Sequence, residues 1–220
     1  PAAQPDSPTC FPRAVNSYAD NGTKSLSNGR QQTDTDICDL ARSNYISNVS
    51  ALFRRGLFGP LPDWFPQVST YDYAIHMLNA AHGRIHYMKR PMAVYRQHSR
   101  AIWSRTDAYA KLDIGLKVRE LLIEHFRETR PDVSELLRDA HTRFSLNELY
   151  HCRQKGRTDE AERLARRLLA LRPEWDHAEV ERRLLALRPD SRTLWKRRAF
   201  GLLKKARAVC SYFVPLPRIR

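Results

Sequence analysis

The chain is short of the features that most quickly reveal a function. No apolar run approaches the roughly 20 residues that cross a bilayer; residues 49–53 form one of the longest. A membrane-spanning chain is therefore not expected, and no basic-then-apolar leader opens the sequence. Only four cysteines are present, Cys10, Cys38, Cys152 and Cys210, far apart and without a C-x-x-C spacing. That excludes a zinc knuckle and gives no disulfide framework, so a reducing, cytoplasmic setting is the simpler expectation. An initiating methionine is missing too: the chain begins at Pro1, and the expectation is a piece cut from a longer polypeptide. Finally, acidic residues vanish from residues 196–220, which hold eight Lys or Arg and no Asp or Glu.

What is there suffices for one good core, or one core with a helical annex: 220 residues, 42% of them hydrophobic. The net charge of +14 is uneven. Residues 1–104 carry 11 basic against 7 acidic side chains, and residues 105–220 carry 27 against 17, so most of the excess lies late in the chain.

Along the chain, the Pro, Ala and Ser of residues 1–12 read as a linker or cut end. Residues 13–18 suit a strand, and the Asn-Gly pairs at 21–22 and 28–29 supply turn chemistry. A short helix is expected at 36–42, capped by Thr35 or Asp36, and a strand at 49–53. Pro60, Pro62 and Pro66 with Trp64 and Phe65 between them make a rigid aromatic loop. A helix should start near Asp72 and close at Gly83, followed by two short strands at 84–88 and 92–96 joined by Lys89-Arg-Pro91. The pattern to residue 104 is mixed α/β.

From residue 105 the periodicity is helical. Leu112, Leu116, Val118, Leu121, Leu122 and Phe126 mark one stripe, and Pro131-Asp starts another helix. Arg166-Arg-Leu-Leu-Ala-Leu-Arg-Pro173 recurs as Arg182-Arg-Leu-Leu-Ala-Leu-Arg-Pro189. The first copy resembles the second helix of a tetratricopeptide unit, but the offset is about half that repeat's period. A helical annex over 105–194, not a repeat array, is the expectation.

Several short runs carry a wider resemblance: Asn44-Tyr-Ile-Ser-Asn, Asp63-Trp-Phe65, Tyr71-Asp-Tyr73, Gly83-Arg-Ile-His-Tyr87 and Tyr95-Arg-Gln-His98. In this order they resemble the second, acceptor-side half of a family 2 glycosyltransferase. The resemblance implies a partial GT-A-like (Rossmann-like) mixed sheet over 13–104, lacking its nucleotide-binding half. It also implies inverting transfer of a sugar from a nucleotide-sugar donor to a sugar or lipid-linked hydroxyl acceptor, in the synthesis of a cell-surface polysaccharide or glycoconjugate. Such transfer needs a base for the acceptor proton. Asp72 matches the family's acidic residue before a helix, with Tyr71 where Gly or Glu usually stands. Backbone N–H groups at a helix start also attract its negative charge.

The leaving diphosphate is commonly stabilised by a divalent cation, Mg or Mn. In the resembled family the late His of a Tyr-Arg-x-His run lies near that metal, and His98 matches it. Arg96, two residues earlier, is the expected phosphate or carboxylate contact, and Trp64 and Trp103 are candidate stacking surfaces for the acceptor. His76, one turn beyond Asp72, reads as a packing residue, and His86 receives no role. The Asp34-Thr-Asp36 run follows polar residues rather than a strand, so it reads as loop and helix cap; the metal-binding aspartates would then lie upstream of Pro1.

Residues 195–220 place Trp195, Leu202, Ala206, Val209 and Phe213 on one helical stripe with basic residues beside it. Such a tail suits attachment to an anionic membrane surface at the inner face of the membrane. Nucleic acid is not the expected partner, because no base-reading module accompanies the charge. The alternative to an enzyme is a truncated, non-catalytic relic that docks a membrane or a protein through annex and tail.

Overall fold

The computed structural model describes residues 7–187, a mixed α/β chain that divides into two compact units between Glu148 and Leu149. The tail expected at 195–220 and its membrane contact lie outside the described residues.

The first unit is built on a five-stranded mixed sheet. Its long strands are β1, Thr9–Tyr18, and β5, Ile85–Gln97, which pair in parallel. Three short antiparallel strands complete it: β2, Lys24–Leu26, and β4, Leu52–Phe53, both pair with β1, and β3, Asp34–Thr35, pairs with β5. A parallel pair needs a long crossover. Here it contains the helices α1, Ile37–Arg42, and α2, Tyr71–Ala80.

Several expectations change. Residues 1–12 are not a linker from Ser7 onward: Ser7 to Pro12 are buried, and Thr9, Cys10 and Phe11 are core strand residues. Prolines that suggest a linker are tolerated here because Pro12 sits where the β1–β5 register shifts. The two strands expected at 84–88 and 92–96 are one strand, β5, whose register against β1 slips around Pro91. A missing N–H interrupts pairing locally without turning the chain. The strand expected at 49–53 shrinks to a 3-10 turn at Asn48–Ser50 followed by β4, which reaches only Thr9 and Cys10. Asp34, read as loop, lies in β3 opposite His86, and their side chains meet at 2.9 Å.

Local chemistry explains the helix ends. Asp36 caps α1, accepting from the backbone N–H of Cys38 at 2.8 Å and of Asp39 at 3.1 Å, while Asp39 reaches back to the Asp36 N–H. The helix α2 stops at Ala81, and Gly83 then takes a φ of 153°, a backbone that L side chains rarely adopt. After a single turn, α3, Ile102–Arg105, comes α4, Ala108–Phe126, capped by Asp107 through the N–H groups of Tyr109 and Ala110. Next is α5, Pro131–Gln154, with proline at its first position. Ser134 ties its start to the end of α4 by donating to the Ile123 carbonyl at 2.8 Å.

The core of this unit joins Phe11, Leu40, Met77 and Ile85 to Leu116, Leu122 and Leu137, all essentially inaccessible. The helix α4 and most of α5 therefore belong with the sheet, and the boundary falls within α5 instead of at residue 104.

The second unit contains the end of α5 with α6, Thr158–Leu171, and α7, His177–Ala186. Ala161, Leu164, Ala165 and Leu168 form the buried stripe of α6, and Val180 and Leu184 that of α7. Equivalent leucines of the repeated octapeptide, Leu168 and Leu184, both point inward. Among the described residues no helix is long and apolar enough to cross a membrane.

Candidate functional site

A cleft of the first unit has a volume of about 630 Å³, in the range of small-molecule sites. Its walls come from residues 44–49, the start of α2, Tyr95 of β5, Trp103 of α3 and one face of α4. Asp72 stands in this wall, half-buried in the first turn of α2.

Its neighbours fix its position. Tyr73 is buried and its hydroxyl donates to the carbonyls of Leu40 at 3.2 Å and Ala41 at 3.4 Å, tying α2 to the end of α1. Burial pushes the Tyr73 phenol up to about 12, so it stays a donor. On the other side Tyr71 stacks on Phe65, with centroids 5.3 Å apart. Asp72 is thus held between two anchored aromatic residues.

The sequence-derived site residues separate into two groups. Asp72 and Trp103 share the cleft, and Tyr71 and Tyr95 join them as further aromatic lining. Trp64, Arg96 and His98 are not part of the lining. Trp64 instead covers the core: its indole N–H donates to His125 Nδ1 at 3.4 Å, and its ring meets His125 and Phe65. Burial lowers the pKa of His125, which favours the neutral ring that can accept this bond.

Arg96 is exposed on β5 and follows Tyr95, and successive strand residues face opposite ways. With Tyr95 turned into the cleft, Arg96 is turned from it. His98 lies just past β5, where the neighbouring Ser99 N–H donates to Asp20 at 2.7 Å. Among the described residues no three His, Cys, Asp or Glu side chains gather closely enough to hold a metal ion.

Two features escaped the sequence. The Asp34–His86 contact depends on β3 pairing with β5 across 52 residues, which no local spacing reveals. The second is cationic. Lys111 and Arg119 of α4 line the cleft, with Gly115 between them at the four-residue spacing that places all three on one face. A glycine inside an otherwise helical stretch, four residues from a basic side chain on either side, was the available signal.

No family model and no curated protein matches this chain. Its chemistry must therefore be read from the cleft itself.

Proposed function

We propose that the cleft is the acceptor site of a glycosyl-transferring enzyme, with Asp72 as the group that receives the acceptor's proton. The observation that carries this is the placement of a half-buried carboxylate in the wall of a 630 Å³ cleft beside Tyr71, Tyr95 and Trp103. Aromatic rings offer flat apolar faces to the C–H surface of a sugar, and a neighbouring carboxylate accepts from its hydroxyls. In the reaction, the acceptor oxygen bonds to the anomeric carbon of the donor as its proton passes to Asp72. The bond from that carbon to the nucleoside diphosphate breaks, and the diphosphate leaves with the electron pair. In this reading the donor is bound by the nucleotide-binding half that the family resemblance implies. A cytoplasmic enzyme held at the inner membrane face by its basic tail completes this reading.

Asp72→Asn tests it. The amide keeps the size and removes the proton acceptor, and loss of a general base costs about a hundredfold or more in rate. Transfer by the polypeptide extended upstream of Pro1, followed as release of nucleoside diphosphate, should fall by at least that factor with unchanged thermal stability. Undiminished turnover would remove Asp72 from the mechanism.

A further inference from the structure

The buried arginine of the cleft, Arg119, forms no ion pair among the described residues. Arg119 is only 9% exposed. Its guanidinium lies 4.9 Å from the Tyr73 ring centroid and 4.7 Å from that of Phe144. Nη1 donates to the Gly115 carbonyl at 3.1 Å, and Nε is buried without a hydrogen-bond partner. Among the described residues no carboxylate forms a salt bridge with it, and the charged side chain felt at this site, Arg143, has the same sign. Arginines at the ends of these helices behave differently. Arg127 and Arg130 are more exposed and are paired with Glu124 and Asp132.

Burying a guanidinium without a counter-ion is unfavourable, and two aromatic faces offset only part of the loss. Lys111 adds a second cation on the same helix face, its ammonium 5.6 Å from the Trp103 centroid. Between them Gly115 presents no side chain, although glycine in a helix interior is less stable than alanine. Two cations flanking a side-chain-free strip of helix, in the wall of a cleft, form a receptor for an oxyanion. A guanidinium in low dielectric attracts such a group far more strongly than one in water.

We infer that the ligand of this cleft carries an oxyanion, a carboxylate or a phosphate, which docks between Arg119 and Lys111. Resting on the acceptor-site reading, this makes the acceptor an anionic sugar: a uronate, or a sugar phosphate such as the head of a lipid-linked glycan. Its hydroxyl faces Asp72 while its charge is held on α4.

Calorimetric titration of the 220-residue chain with glucose, glucuronate and glucose 6-phosphate separates the possibilities. At least one charged sugar should bind tenfold or more tightly than glucose, and the stronger of the two identifies the oxyanion. Arg119→Gln and Lys111→Gln should each reduce that preference severalfold, with circular dichroism unchanged. Lys111 is not a core residue, so its variant decides the matter if Arg119→Gln fails to fold. Equal binding of neutral and charged sugars overturns the inference, as does a preference that survives the substitution in Lys111→Gln and in a folded Arg119→Gln. Asp72→Asn should keep the preference. Retained anion binding with no sugar transfer in the extended polypeptide would defeat the proposed function alone; transfer to neutral acceptors only would defeat the oxyanion alone.

The glycine supplies an independent check. A Cβ at Gly115 would stand 3.5 Å from Arg119 Nη1, an ordinary contact. Gly115→Ala should therefore raise the melting temperature while weakening binding of the charged sugar severalfold. Lower stability together with unaltered binding would show that the position has no role in the cleft.

Discussion

Phe11→Ala is expected to destabilise the first unit by about 4 kcal/mol, which would consume much of the stability of an ordinary domain. Phe11 is fully inaccessible in β1, opposite Tyr87 of the parallel neighbour β5. Its ring meets Tyr87 at 5.1 Å and Tyr45 at 5.7 Å between centroids. Truncation removes the transfer free energy of a whole benzyl group and leaves a cavity between two large rings. Tyr45 donates to or accepts from Thr35 at 2.7 Å, and the Tyr87 hydroxyl donates to the Asn28 carbonyl at 3.0 Å. Those bonds hold both rings in place, so collapse into the space is resisted and the effect should sit in the upper part of the usual range. Urea unfolding followed by circular dichroism measures it. Leu26→Ala in the same sheet is the control, because Leu26 is exposed and its loss should change stability by less than about 0.5 kcal/mol. A Phe11→Ala effect as small as that of the control would mean that the β1–β5 pairing is not the centre of this core.

Local signals carried the helices and lost the sheet. Asp36 with Asp39 three residues later declares a capping box, and Pro131-Asp declares a helix start; each is written within four residues. The stripe of α4 could be read in large part from its spacing: Leu116, Val118, Leu122 and Phe126 are buried, Leu112 and Leu121 only partly so, and Ile123 and Arg119 are buried besides. The long strands could not be read so. β1 and β5 are joined by register pairs about 76 residues apart, such as Phe11 with Tyr87, and nothing near Phe11 names its partner. Prolines misled in both strands, because a register shift at Pro12 and Pro91 accommodates what an uninterrupted ladder would not.

The site follows the same division. Asp72 was legible because a carboxylate opening a helix is a local pattern. Arg119 was not, since an arginine in an amphipathic helix is read as solvated by default. Only the packing of Tyr73 and Phe144 on either side of it turns a surface residue type into a buried cation. Trp64 shows the converse. Its Pro-rich setting suited a ligand platform, and its place over the core is set by His125, 61 residues later.

His76 should make the protein acid-labile well above the pH at which carboxylates are lost. It lies one turn beyond Asp72 on α2, is 1% exposed, and neither ring nitrogen has a hydrogen-bond partner among the described residues. Burial lowers its pKa from 6.5 to about 4, against a smaller opposite pull from the negative charge of Asp72. The folded state therefore holds the ring neutral while the unfolded chain protonates it. A depressed folded-state pKa on a base means that the unfolded state binds more protons between these two values. Stability is then complete above about pH 6.5 and falls as the pH drops toward 4, by on the order of 3 kcal/mol in total. His76→Leu removes the titration and fills similar space with an apolar group. Comparing urea midpoints at pH 7 and pH 4.5, the wild-type chain should lose about 2 kcal/mol more than the variant. Carboxylate titrations are common to both proteins and cancel in that difference. Asp72→Asn removes the charge that favours protonated His76, so the variant built to test catalysis should also hold this imidazole neutral to lower pH. Imidazole proton resonances read that directly, and a His76 ring titrating near 6.5 in the folded chain would show that it is hydrated or paired instead of sealed in the core.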